Sequence, residues 1–475
     1  MEKLSQHVLV AATDARASRR DASPNLVLLI VCSGVVLASL DLFIVNIALP
    51  DIAVDLGTSD LGDLSWVLNG YAIVYASLLV FFGRLADRHR RNYGFLLGVL
   101  VFTVASAACA MASSVGMLVA FRLLQAAGAA LLTPTSLGLV LASFSPQARA
   151  GAVRTWTATG GLAAALGPVV GGLLVAASWR WVFLVNVPIG IIALIWGWRR
   201  LPDVPGHPGP RPDALGTILA TLGIATLTFA LIEGNSWGWG SSATVLVLAV
   251  ALALLGGFVW HCQRARNPLI EPELFSGRIF QGATIVAVLF SASFGGMLLS
   301  VVLWAQEIWR WSALQSGVAI APGPLMVPFF AFLVAGRLAA RIGSAAVVCL
   351  GLVAFGLGLA WFALAIGADA VYATQLLPGM LLSGVGFGLT MPTLMAMGTK
   401  ELPPAAFSTG SAVMNMMRQT GLAIGVAIFV AVLGTPIGDS AALQAFRNGW
   451  WVLSALSLVA LVPAWLLLRE RPGSA

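Results

Sequence analysis

The sequence predicts an all-α integral membrane protein with fourteen transmembrane helices in a six-plus-two-plus-six order. Three observations lead there. Of the 475 residues, 59% are hydrophobic and 9% are charged, whereas soluble domains carry roughly 25% charged residues. Apolar runs of the length that crosses a bilayer, about 20 residues, recur fourteen times. The basic residues between those runs gather on one side. A soluble enzyme must turn much of its chain to water, so the composition excludes one, and it excludes a disordered chain and a nucleic-acid binder as well.

The first six runs lie at residues 26–50, 64–83, 93–112, 117–142, 151–177 and 181–199. Two follow at 213–234 and 241–260. The last six lie at 280–305, 314–336, 343–366, 370–398, 407–434 and 446–468. The chain therefore divides into an N-terminal tail (1–25), an N-terminal six-helix bundle (26–200), a middle segment (201–279), a C-terminal six-helix bundle (280–468) and a short tail (469–475). The middle segment holds a linker with prolines at 202, 205, 208, 210 and 212, the two extra helices and a loop. No cleavable signal peptide is expected, because the first 25 residues are polar and the run after them is too long for one.

Placing the N-terminus in the cytoplasm puts 21 of the 26 Lys and Arg residues there. Arg180, Arg310 and Arg447 fall outside, and Arg122 and Arg418 lie within spans. Asp51, Asp55, Asp60 and Asp63 fall on the first outer loop. Trp179, Trp181, Trp237, Trp239, Trp309, Trp311, Trp450 and Trp451 gather at outer helix ends, as an aromatic belt does. Both termini are then cytoplasmic. An internal echo supports duplicated halves: Gly83-Arg84-Leu85-Ala86-Asp87-Arg88 and Gly336-Arg337-Leu338-Ala339-Ala340-Arg341 occupy matching places.

The energy source is narrowed by what the chain lacks. Its two lysines, Lys3 and Lys400, complete no phosphate loop. All four histidines (7, 89, 207 and 261) fall in cytoplasmic segments, so neither a His metal site nor a His relay is expected at membrane depth. Cys32, Cys109, Cys262 and Cys349 read as buried thiols. No cofactor is expected, and if the chain performs an energised transport, an ion gradient must drive it through carboxylates.

Asp41 is the carboxylate deep in a span, where a charge costs about 2.5–3.5 kcal/mol on insertion scales. Counting from the outer helix ends, it lies roughly 14 Å down, and Arg122 of the fourth helix roughly 8 Å down, with Gln125 on the same face as Arg122. The two fit either a structural ion pair or a proton or ligand site. Asn415, Arg418 and Gln419 form one polar stripe at i, i+3 and i+4, suited to interhelical hydrogen bonds or to a cavity wall. Asn46, Asn69, Gln125, Asn415, Arg418 and Gln419 are the candidate cavity residues. Glu233 and Glu307 lie near outer helix ends and read as solvated. In the fifth helix Gly167, Pro168, Gly171 and Gly172 combine a small-residue face with a kink, which suits a moving helix.

Together these residues resemble the major facilitator superfamily, and within it the fourteen-helix drug:proton antiporter branch of EmrB/QacA type, from about Leu28 to Leu468. The run around Asp41 resembles the branch's L-D-x-x-I-V-N-x-A-L-P signature, and Gly83 to Asn92 is similar to the cytoplasmic G-x-L-A-D-R-x-G-R-[RK] motif. Arg122 to Gly128 resembles the R-x-x-Q-G-x-G element, and Gly167 to Gly172 matches the G-P-x-x-G-G antiporter motif. Trp179 to Phe183 and Asn186 to Pro188 are typical of the branch. Arg90 replaces a motif glycine, Asn92 a basic residue and Ala126 a glycine.

The resemblance implies a major facilitator fold working by alternating access, without enzyme activity. It implies proton-coupled export of amphipathic drugs or antibiotics across the bacterial cytoplasmic membrane, by a monomeric transporter that meets protons, a small substrate and lipid but no nucleic acid. Asp41 would carry the proton and Arg122 would tune it. Gly167 to Gly172 would serve the conformational change, and Gly83, Asp87, Arg88 and Arg91 a cytoplasmic gating loop. Export of one metabolite or siderophore, or proton-coupled import, are the alternatives. With one deep carboxylate, exchange of one proton for a monovalent cation would be electroneutral.

Overall fold

The structure is a computed structural model that describes residues 23–58, 60–206, 211–400, 402, 407–434 and 438–468. Among them fourteen helices are long and apolar enough to cross a membrane. They are α1 (Pro24–Leu56), α2 (Leu61–Arg88), α3 (Arg91–Ala110), α4 (Val115–Ser143) and α5 (Pro146–Val175), then α6 (Trp181–Arg200), α7 (Ala214–Trp237), α8 (Ser242–Arg264), α9 (Arg278–Ile308) and α10 (Ala313–Ile342). The last four are α11 (Ser344–Ala365), α12 (Tyr372–Lys400), α13 (Phe407–Leu433) and α14 (Ser440–Leu467). Helices that satisfy their own backbone hydrogen bonds are the form an apolar chain can take in lipid.

The helices overrun the apolar runs. α1 continues through Pro50 to Leu56, so Asp51 and Asp55 are helical and do not lie in a loop, and Asp63 falls in the first turn of α2. Asp60 stays in the turn and caps α2, accepting from the Gly62 amide at 2.7 Å. Asp55 accepts from the Trp179 indole at 3.0 Å and from Arg180 at 2.7 Å, which pins the end of α1 to the α5–α6 turn.

α1 to α6 form one bundle and α9 to α14 the other; α2 and α13 pack on each other across the junction. The added pair sits beside that junction. α7 packs on α8, α2 and α13, and α8 leans on α7 alone among its principal contacts. Leu246 and Leu252 of α8 are accordingly exposed, as lipid-facing leucines are. A loop after α8, with a 3-10 turn at Pro272–Ser276, returns the chain to α9, and its Glu271 takes a hydrogen bond from Arg84 of α2 at 3.0 Å.

One face of the molecule, the basic face, carries Arg84, Arg88, Arg90 and Arg91; the opposite, tryptophan face carries Trp179, Trp237 and Trp309. The two bundles close on each other at the tryptophan face. A Cβ on Gly172 of α5 would stand 2.6 Å from the Ala313 carbonyl oxygen of α10, and Gly317 of α10 lies against the Pro168 carbonyl. The Gln306 amide, in a π turn of α9 at Trp304–Ile308, donates to the Ile47 carbonyl of α1 at 3.1 Å. Towards the basic face, the end of α10 (Ala335–Ile342) packs on α11 and α12 of its own bundle.

Candidate functional site

Asp41 sits in mid-helix on α1 with no exposed surface. Four helices supply its surroundings. Arg122 of α4 donates to its Oδ2, Gln125 of α4 donates to its Oδ1 at 2.8 Å, and Asn186 of α6 donates to the same oxygen at 3.3 Å. Gln125 also accepts from Arg122 at 2.7 Å and reaches Ser106 of α3 at 2.8 Å. Arg122 turns a further N–H to the Val67 carbonyl of α2 at 3.1 Å, and its guanidinium lies 4.1 Å from the Tyr71 ring centroid.

The i, i+3 spacing that sets Arg122 and Gln125 on one face of α4 lets both reach the same carboxylate. Two buried charges are stable only where their remaining donors and acceptors are satisfied. Here Asp41 takes three hydrogen bonds and Arg122 donates three. One guanidinium nitrogen, Nη2, is left over, buried and without a partner, as are the Tyr71 hydroxyl and Asn186 Oδ1. The net charge of the cluster is zero.

A second polar region lies between the bundles. A cavity of about 30 Å³ is walled by Asn46 of α1, Asn69 of α2, Gly295 and Leu298 of α9, and Leu422 and Val426 of α13, space for one or two waters. It begins at Leu42, the residue after Asp41. Both amide atoms of Asn69 are buried without a partner, whereas Asn46 bonds back to the Leu42 carbonyl at 3.3 Å. One turn of α13 towards the basic face stand Arg418 and Gln419; the Arg418 Nε and the Gln419 Oε1 are buried and unpartnered. Asn415 donates to the Ser411 carbonyl at 3.1 Å.

Of the residues singled out in the sequence, Asp41, Arg122 and Gln125 come together inside the N-terminal bundle, and Asn46 and Asn69 line the cavity. Asn415, Arg418 and Gln419 share the cavity side of α13. Gly167 and Gly171 press on α1, each with a Cβ position within 3.0 Å of Phe43 or Ile44, while Gly172 meets α10. Gly83 faces Pro134 of α4, and Arg91 lies over Gly138 of α4, donating to its carbonyl at 3.4 Å. Arg88 ends α2; the Asp87 side chain lies outside the described residues. Glu233 and Glu307 fall at the tryptophan-face ends of α7 and α9, where Glu233 takes the Ser236 hydroxyl at 2.6 Å. All four cysteines are thiols.

Sequence reasoning missed three members of the cluster: Asn186, which donates to Asp41, Ser106, which accepts from Gln125, and Tyr71, whose ring lies under Arg122. Asn186 was visible as an amide in an apolar run, followed two residues later by Pro188, but nothing in its spacing points to Asp41. Ser106 and Tyr71 carry no signal of their own.

Two six-helix bundles joined by a hairpin, with one sealed face and an ionisable cluster at mid-depth, define a membrane transporter and not an enzyme. The chain belongs to the Major Facilitator Superfamily, whose family model matches residues 31–426. It is 31% identical over 84% of its length to a multidrug resistance protein B homolog of Mycobacterium tuberculosis, covering 74% of that protein. It is 33% identical over 86% of its length to a probable actinorhodin transporter of Streptomyces coelicolor, covering 71% of that protein. It is 34% identical over 94% of its length to a methylenomycin A resistance protein of Bacillus subtilis, covering 95% of that protein. Among solved structures, the POT family transporter PepTSo aligns with a TM-score of 0.68 at 17% identity, over 94% of this chain and 98% of that one. A bacterial homolog of the human lysosomal transporter Spinster aligns with the same TM-score at 16% identity, over 94% of this chain and 97% of that one. Both likenesses speak to the fold.

Proposed function

We propose that this protein exports amphipathic drugs or antibiotics across the bacterial cytoplasmic membrane in exchange for protons, by alternating access. The observation that carries the reading is the sealed Asp41–Arg122 pair, a carboxylate placed where only a function or a partner repays its burial. Relatives named for resistance and export supply the class of cargo. The basic face is cytoplasmic on the positive-inside rule, which puts both termini there and the tryptophan face outside.

The geometry gives the coupling a physical route. While Asp41 is ionised it holds Arg122 and, through Gln125 and Asn186, ties α1 to α3, α4 and α6. A proton arriving by the water-sized cavity at Leu42 and Asn46 neutralises the carboxylate and leaves Arg122 without its counter-charge. Arg122 then relaxes its hold on α1, the helix against which Gly167 and Gly171 of α5 are packed. A shift of α1 and α5 moves Gly172 on Ala313, the contact that closes the outer face. Proton binding and opening are thereby linked through one helix pair.

The test is Asp41→Asn in proteoliposomes with matched protein content. Asn keeps the shape and much of the hydrogen bonding but takes up no proton, so uphill drug export should fall at least about 100-fold while downhill exchange continues. Export against a gradient at the wild-type rate would sink the assignment. A single antibiotic-like cargo is the second reading, favoured by relatives named for one compound each.

A further inference from the structure

Among the described residues one carboxylate and two arginines stand at mid-depth, Asp41, Arg122 and Arg418, and two of the three pair. Asp41 and Arg122 cancel each other inside the N-terminal bundle. Arg418 of α13 remains. Among the described residues no carboxylate pairs with it and no hydrogen bond to it is found; its ionisable neighbour is the phenol of Tyr75, which is already engaged with Thr133 at 3.2 Å. The other membrane-end acids, Asp51, Asp55, Asp63, Glu233 and Glu307, lie at the tryptophan-face ends of their helices, away from the middle of α13.

An arginine in an apolar span is costly unless something compensates it. Its placement says where the compensation arrives. Arg418 precedes Leu422 by one helical turn, which puts it on the α13 face whose next turn lines the inter-bundle cavity, and the residue is partly exposed. Gln419 Oε1 beside it and both amide atoms of Asn69 on the facing helix are likewise buried without partners. One uncompensated cation, with unsatisfied donors at Arg418 Nε and Asn69 Nδ2 and unsatisfied acceptors at Gln419 Oε1 and Asn69 Oδ1, stands at the junction of the two bundles and makes a site whose missing component is negative and brings both hydrogen-bond acceptors and donors. A guanidinium suits a planar carboxylate in this role because it can donate two parallel hydrogen bonds.

We infer that Arg418 is the substrate-charge site and that the cargo is an organic acid, amphipathic and anionic at neutral pH, whose carboxylate or equally acidic group pairs with Arg418 while Asn69 and Gln419 hold its polar periphery. This rests on the export reading above and narrows its cargo from amphipathic drugs in general to acidic ones. A lipophilic cation is disfavoured, since it would enter a site of its own sign.

Equilibrium dialysis of the detergent-purified full chain tests the inference without any gradient, so its outcome is independent of proton coupling. The acids are fluorescein, nalidixic acid and fusidic acid; the cations are rhodamine 6G, ethidium and tetraphenylphosphonium; sodium phosphate alone is the inorganic arm. At least one acid should bind saturably and more tightly than every cation. Its affinity should fall at least about tenfold in Arg418→Gln and by a smaller factor in Arg418→Lys, which keeps the charge but not the paired hydrogen bonds, with the melting temperature of each ligand-free variant checking the fold. Preference for the cations, no binding of any acid, or acid binding unchanged in Arg418→Gln would overturn the inference. So would full competition by millimolar phosphate, which would mark an inorganic anion site. If acids bind as expected but uphill export is absent, the export reading fails and the charge site stands.

Discussion

Arg122 and Arg418 are both arginines in apolar helices, one in each bundle, and their surroundings differ in every respect that electrostatics recognises. Arg122 has no exposed surface, a carboxylate on one nitrogen, a glutamine on the same nitrogen, a carbonyl on another and an aromatic ring beneath it. Arg418 has a buried Nε with no acceptor and a phenol for company. The first is a component of the bundle's own structure that protonation can disturb. The second is an open valence. The proposed exchange of cargo for protons calls for both kinds of site: one complete in the absence of cargo, and one completed by it.

The largest effect that separates the two roles is electrical. If a proton enters while a monovalent anion leaves, two charges cross per cycle in the direction an inside-negative potential favours. A potential of 100 mV then supplies about 4.6 kcal/mol, twice the ~2.3 kcal/mol of a single charge. Removing the voltage at fixed pH difference should lower the steady-state accumulation of an acidic cargo on the order of 10³-fold. The electroneutral exchange of proton for cation that Asp41 alone suggests would not respond. Accumulation in everted vesicles, with and without valinomycin and balanced potassium, distinguishes them. Voltage-independent accumulation of an acid would mean that Arg418 is not met by a charged cargo.

A smaller effect sets the same substitution at both positions. Arg122→Leu leaves Asp41 buried without its cation, which costs about 3–5 kcal/mol. Arg418→Leu removes a cation that has no partner, and should cost less than about 1 kcal/mol or raise stability. Thermal melting of the two purified variants reads the difference. Equal losses would reveal a protein partner for Arg418 within the membrane.

Most of the fold was legible in the sequence because a bilayer imposes a length and a composition on every span. Fourteen apolar runs became fourteen helices, and the basic loops lie together on one face. The helix ends were less legible: hydropathy reports where the hydrocarbon stops, whereas a helix stops where its backbone finds a cap. α1 therefore runs six residues past the expected end to Gly57, in the left-handed conformation. The candidate site was legible to the extent that charge in an apolar run is conspicuous, which is why Asp41, Arg122 and Arg418 stood out. Asn186, Ser106 and Tyr71 did not, because an amide, a hydroxyl or a phenol in a span is ordinary, and only the fold brings them to Asp41. The pairing of Arg122 with Asp41 was legible as one reading of their compatible depths, whereas the solitude of Arg418 could not be read, since its polar stripe fitted interhelical hydrogen bonds equally well.

The contact between α5 and α10 joins the two bundles at the tryptophan face, on the helix that packs against α1. Gly172→Ala places a methyl 2.6 Å from a backbone oxygen that cannot rotate away, so α5 and α10 must separate. Overpacking of this kind costs typically 1–3 kcal/mol, enough to shift bundles towards an open tryptophan face. Gly161→Ala on the same helix meets nothing within 4 Å and serves as the control. Spin labels at the tryptophan-face ends of α5 and α10 should report a longer distance in the first variant and the wild-type distance in the second. Identical distances in both would show that the glycine contact does not govern closure.

The smallest expected effect concerns Arg90, which stands where the family motif has glycine. Its backbone is extended, at φ −64° and ψ 118°, a conformation that needs no glycine. Its side chain pairs at 2.6 Å with Asp203 of the linker after α6, next to the Arg91 amide that donates to the Val204 carbonyl at 3.0 Å. The linker is thus laced onto the α2–α3 turn, and the arginine has a structural use that a glycine could not serve. Both partners are substantially exposed, at 55% and 40%, so water and salt screen the pair and its worth is about 0.2–1 kcal/mol. Arg90→Gly and Asp203→Asn should each lower the melting temperature slightly, by similar amounts, and the double variant by little more than either alone. The difference should vanish in about 1 M salt, where the Debye length is ~3 Å. Transport should be unaffected, because neither residue touches Asp41 or Arg418. A large loss of transport in Arg90→Gly, with melting unchanged, would instead place the turn in the conformational cycle and break the division between a structural turn at the basic face and a working pair in the membrane.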